Sequence, residues 1–189
     1  MLTREKIKSV LSPYTDITIF VVTLFAANFL WKYTVVGDEG NTMVTWFGID
    51  ISTPFNIMAQ HIAREAYWII CLFRDTCFMD SPNSYFFESG VGTVIVWSCT
   101  PLKQAFIWFC LLLTTRGGWL HKLWYIPLGW VGIYVFNTLR IVAISLLTEY
   151  HPMWFDFLHN YLFKYIFYFL MFLLWLLFVH KVRRLGTKG

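Results

Sequence analysis

Long apolar runs alternate with short polar stretches along the whole chain. Residues 17–36 form the first run, interrupted by Asn28 and Lys32. At 1.5 Å per residue these 20 residues cross a hydrocarbon core of about 30 Å, so a spanning helix is predicted. The run is too long, and lacks the small-residue cleavage site, for a removable leader. Residues 37–54 turn polar, with Asp38, Glu39, Asn41 and Asp50, and 42–51 suggest a short strand or hairpin. In residues 55–77 the polar groups Asn56, Gln60, His61, Arg64 and Glu65 recur at helical spacing. Met58, Ile62, Ala66, Ile69 and Phe73 occupy the opposite side, which predicts an amphipathic helix lying in the interface or packed on the spans. A polar connection over 80–92 has short strand character around 85–87. Three further apolar runs, 93–115, 123–147 and 160–179, read as spanning helices, the loop between the last two holding His151, Pro152 and Asp156.

Composition supports a membrane protein. Of 189 residues, 58% are hydrophobic, 21% aromatic and only 14% charged, whereas a soluble domain is near a quarter charged. The expected fold class is an all-α integral membrane protein. It has about four transmembrane helices, an outer-face amphipathic helix and a small hairpin-like outer segment, in one membrane domain over 1–189. The positive charges orient it. Arg4, Lys6 and Lys8 precede the first run; Arg116, His121 and Lys122 follow the second; Lys181, Arg183, Arg184 and Lys188 end the chain. Four spans put all three groups on the cytoplasmic side if 55–77 does not cross. The expected location is the inner (plasma) membrane, multi-pass, with both termini cytoplasmic. No metal-ligand spacing or nucleotide motif is apparent, and no cofactor or nucleic-acid partner is expected.

With that orientation, depth is counted from the basic loops. Cys99 is 17 residues from Arg116, about 25 Å along a helix. Arg140 is 18 residues from Lys122, about 27 Å, and His159 is 22 residues from Lys181, about 33 Å. A thiol, a guanidinium and an imidazole from three spans therefore share the outer boundary. Lys103, four residues after Cys99, lies on the same face of a continuous helix, and a nearby cation favours the thiolate. Each residue also has a plain structural reading. Arg140 can pair with Glu149, Cys99 and Cys110 can be packing, and Lys103 can be an anchor. His159 can be an interface histidine, with His151 its rival, and His61, Arg64 and Glu65 can be a wetted face. Cys71 and Cys77, six apart, read as packing.

A Cys at the outer end of one helix, an Asn-x-x-Arg in the next (Asn137 to Arg140) and a His opening the last (His159) resemble the exosortase/archaeosortase family. The similarity runs over about 54–179. It implies a membrane cysteine transpeptidase or protease that cleaves a C-terminal sorting tail at the outer face through a Cys thioester. Its partners are membrane-anchored proteins bearing that signal. By this resemblance Cys99 is the nucleophile, Arg140 the catalytic arginine and His159 the general acid/base, with Lys103 and Asn137 binding substrate or supporting the site. The chain departs from the family's Cys-Ser-Gly with Cys99-Thr100-Pro101. Proline has no N–H, so an oxyanion contact from that position is absent, though proline suits a helix beginning near Thr100. The competing reading is a non-catalytic small membrane transport or assembly subunit.

Overall fold

The computed structural model describes residues 4–38, 43–74 and 77–186; for 4–13 and 182–186 only the backbone is described. The side chains of Arg4, Lys6, Lys8, Arg183, Arg184 and Lys188, and residues Glu39 and Asn41, lie outside the described residues.

The chain is mostly helical. Helix α1 (Arg4–Thr34) leads into a three-stranded antiparallel sheet, β1 (Val35–Asp38), β2 (Met43–Trp46) and β3 (Ile49–Asp50). The turn between β2 and β3 places Phe47 and Gly48 at φ 48° and 82°, the double positive φ of a tight two-residue hairpin. Helix α2 (Ser52–Cys71) follows, then a second antiparallel sheet, β4 (Cys77–Ser81), β5 (Ser84–Phe87) and β6 (Gly92–Val94). A 3-10 turn (Trp97–Cys99) precedes α3 (Leu102–Thr114). Helix α4 (Trp119–Tyr150) is next. The last helical run starts with a 3-10 turn (Pro152–Trp154) and one α turn, α5 (Phe155–Phe157). It passes through a π-helical turn (Leu158–Leu162) and ends in α6 (Phe163–Gly186).

Three helical stretches are long and apolar enough to cross a membrane: Tyr14–Thr34, Trp119–Tyr150 and Pro152–Lys181. The helix expected over 93–115 is shorter. Residues 92–94 are a strand, Ile95 N–H donates to Asn83 O at 2.8 Å, and α3 begins only at Leu102. Pro101, which has no N–H to give, stands at its N-cap position. The 13 residues of α3 rise about 20 Å, short of a full crossing. The amphipathic helix also ends earlier than 77, because Cys77 pairs with Phe87 in the second sheet. Its buried face is Phe55, Ala59, Ile62, Ala63, Ala66 and Ile70, whereas Phe73 is exposed. Small alanines let α2 approach α4 closely, where Ile141 and Val142 complete the contact.

Two layers result. In one, Phe20 of α1 packs with Phe172 and Trp175 of α6 at centroid distances of 5.2 and 4.7 Å. Trp108 and Leu111 of α3 fill the same cluster, and Trp108 lies against Gly129 so tightly that a Cβ there would overlap the indole. Lys122 is buried and donates to the Leu113 carbonyl at 3.0 Å, satisfying an orphan acceptor at the end of α3. The other layer gathers α2 and the second sheet around the C-terminal half of α4. There Tyr85 and Thr93 both reach Ser145 Oγ, at 2.7 and 3.0 Å, and fasten the sheet to the helix. The 32 residues of α4 rise about 48 Å, longer than a hydrocarbon core, and the sheet covers the surplus end.

Candidate active site

A cavity of about 340 Å³ sits where the two layers meet. Its walls come from five separate segments. The end of α1 and the start of β1 give Trp31, Lys32 and Val35, α2 gives Phe55, and α3 with its approach gives Trp97, Ser98, Thr100, Lys103 and Gln104. Helix α4 gives Arg140, and the last helical run gives His159, Asn160, Lys164, Phe167 and Tyr168.

Arg140 and His159, 19 residues apart in sequence and on successive helical runs, therefore line one cavity. Arg140 is 9% exposed, and its Nε is buried without a hydrogen-bond partner among the described residues. The ion pair with Glu149 considered above is not formed, because Glu149 faces Arg74 at 3.4 Å. His159 sits in the π-helical turn, stacked on Phe155 at 5.3 Å, with Nδ1 3.3 Å from Asn160 Oδ1. Such turns re-aim side chains that a regular helix would point elsewhere. His151 is exposed, stacks on Trp154 at 4.9 Å and does not line the cavity.

Cys99 closes the 3-10 turn between Ser98 and Thr100, both of which line the cavity. The thiol itself is half-buried against the α2–α4 core and within electrostatic range of the Arg140 guanidinium. Asn137, fully buried, donates from Nδ2 to the Cys99 carbonyl at 2.9 Å and so pins the turn to α4.

One expectation is corrected here. Cys99 and Lys103 do not share a helical face, since the helix starts between them at Leu102. The cations within range of Lys103 are Lys32 and Lys164, so the charges nearest it are themselves positive. What stands near the thiol instead is Arg140, together with the N-terminal end of α3, whose dipole also favours an anion. Backbone donors are scarce at the turn. Cys99 N–H donates to Val96 O at 2.9 Å, Thr100 N–H to Trp97 O at 3.1 Å, and Pro101 has none.

Arg64 is exposed, as a wetted face requires, but His61 and Glu65 also reach across to α4. Tyr134 Oη donates to Glu65 Oε2 at 2.7 Å, and His61 Nδ1 lies 3.1 Å from the same hydroxyl, so the pair latches α2 to α4. All four cysteines are free thiols. Cys77 is a poor nucleophile: burial, and after it the neighbouring Cys71, push its thiol up to about 11. Among the described residues no three His, Cys, Asp or Glu side chains gather as a metal site would require.

Lys164, Trp97 and Gln104 do not stand out in the sequence, and Lys32 reads there only as a break in the first apolar run. A signal was present. Lys32 stands in the last turn of α1 and Lys164 in the first turn of α6, each at the end of an apolar run. Compared with family models, curated proteins and solved structures, the chain matches none.

Proposed function

We propose that this chain is a membrane cysteine transpeptidase or protease, similar to the exosortase/archaeosortase family, acting on a C-terminal sorting tail at the outer membrane face. The observation that carries the reading is the convergence of Arg140 and His159 on one cavity beside the turn that holds Cys99. Four spans, with α3 short and α2 on the outer side, fit this reading and the distribution of basic residues.

In this account the Cys99 thiolate attacks a peptide carbonyl of the substrate. The C–N bond breaks, the protein remains on sulfur as a thioester, and His159 protonates the departing amine of the membrane tail. His159 then takes a proton from water or from the amine or hydroxyl of an acceptor, which displaces the sulfur. Arg140 supplies the oxyanion contact that the turn's backbone does not. It is permanently charged, enclosed, and holds an uncommitted Nε–H. Asn137 positions the turn, and Ser98 and Thr100 border the substrate path. Lys103 belongs to the cavity wall rather than to thiol activation.

Site-directed variants test the reading, with a tagged sorting-tail substrate followed in cells and protein level measured alongside. Cys99→Ala, Cys99→Ser and Arg140→Lys are each expected to abolish processing at normal abundance. Lysine keeps the charge but loses the planar fork. The non-catalytic alternative predicts the reverse: Arg140 variants lower abundance, and Cys99→Ala leaves processing intact.

A further inference from the structure

The cavity carries more positive charge than the proposed chemistry uses. Lys32, Lys103 and Lys164 line it together with Arg140, and among the described residues no carboxylate does. Lys103 is half-buried with Lys32 and Lys164 both within electrostatic range, an arrangement that costs free energy unless an anion is present. A second observation points the same way. Arg140 Nε, on the same walls, is buried and makes no hydrogen bond among the described residues, and neither does Trp97 Nε1, which packs against Gly37. Gln104 Oε1 is the one buried unpartnered acceptor on the same walls.

We infer that this cavity receives the net-anionic phosphate headgroup of a membrane amphiphile. Phosphate is favoured because three tetrahedrally disposed oxygens accept from several cations at once, and a guanidinium meets them in a matching plane. A lipid source, rather than free phosphate, is favoured by the position and the walls. Lys32 stands in the last turn of α1 and Lys164 in the first turn of α6, each at the end of an apolar helix. These helices touch through Phe20, Phe172 and Trp175 and flank the cavity at their other ends, so a chain can lie between them below the headgroup. Phe29 of α1 and Phe169 of α6 are exposed apolar surface on these two helices. The inference goes beyond the proposed function, since binding requires no chemistry at Cys99.

The test uses the full chain carrying Cys99→Ala, purified in a neutral detergent and titrated with dioleoyl phosphatidic acid or dioleoyl phosphatidylcholine by native mass spectrometry. Phosphatidic acid is expected to bind at least about tenfold more tightly, and inorganic phosphate to compete only at far higher concentration. Neutralising Lys32, Lys103 and Lys164 to Gln is expected to weaken phosphatidic acid by about fivefold per lysine and leave phosphatidylcholine unchanged. Lys181→Gln, at the other end of α6, is expected to change neither. Equal binding of the two lipids by the protein with all its lysines overturns the inference without reliance on any lysine variant. So does inorganic phosphate competing as well as the lipid, or a carboxylate-terminated peptide displacing it at equal concentration.

Discussion

Asn137→Ala separates a built catalytic turn from a chance arrangement. Asn137 is fully buried and its Nδ2 donates to the Cys99 carbonyl at 2.9 Å. Truncation leaves that carbonyl without its donor, a loss of about 1–3 kcal/mol for a buried acceptor. Part of this is offset, because Asn137 Oδ1 is itself buried and unpartnered and leaves with the side chain. A net loss of about 1–2 kcal/mol corresponds to a melting shift of about 2–8 °C in a chain of this size. The effect on turnover is expected to be larger than the effect on stability. A turn released by about 1 Å costs on the order of a hundredfold in rate when reacting groups must be aligned. The assay pairs thermal melting in detergent with initial rates of tail cleavage, normalised to protein amount. Melting lowered by a few degrees with processing nearly abolished is the expected result. Wild-type cleavage from a variant melting several degrees lower would show that this bond holds the fold but not the chemistry, and would refute the reasoning.

Three further outcomes are expected. His159→Ala blocks turnover at normal protein level while His151→Ala leaves it near wild type, since only His159 lines the cavity; parity in a cleavage assay contradicts this. At pH 8 about one Cys77 in a thousand is thiolate, given a thiol pushed up to about 11, so its alkylation rate should rise about tenfold per pH unit towards pH 11. A flat pH profile in site-resolved mass spectrometry would remove that assignment. Gly129→Ala sets a methyl into the Trp108 indole and is expected to cost about 1–3 kcal/mol by overpacking, read as a lower melting temperature, whereas Gly132→Ala, whose Cβ would meet only Leu174 at 3.9 Å, costs less.

The helices were legible because a membrane demands long apolar runs, whereas the depth counted for Cys99 assumed helix over 93–101, where the chain is a strand and a 3-10 turn. What periodicity missed is local. An apolar stretch reads alike whether helical or extended, so 93–101 merged with α3 although Pro101 marked the boundary. The second sheet is short, and its pairing depends on Ser145 of α4, far away in sequence. On α2, Met58, Ile62, Ala66 and Ile69 pack on the core as the pattern predicts, but Phe73 is exposed, and the buried Ala59 and Ala63 carry too little hydrophobic signal to stand out. Lys164 could not be joined to Lys32 and Lys103 without the chain's path, and neither could the latch from Tyr134 to Glu65. That Glu149 takes Arg74, leaving Arg140 to the cavity, is likewise a tertiary fact.

The central claim is that Cys99 forms a thioester with its substrate, and trapping that adduct tests it most directly. Full-length protein is co-expressed with a tagged sorting-tail substrate, quenched in acid, and the Cys99 peptide is read by mass spectrometry with and without hydroxylamine. The expected result is a hydroxylamine-labile adduct on Cys99 that carries the substrate's cleaved end. It should accumulate in His159→Gln if release is slowed more than attack, and be absent from Cys99→Ala. Tail processing that proceeds in Cys99→Ala at normal abundance, or an adduct found on Cys110 instead, would contradict the account.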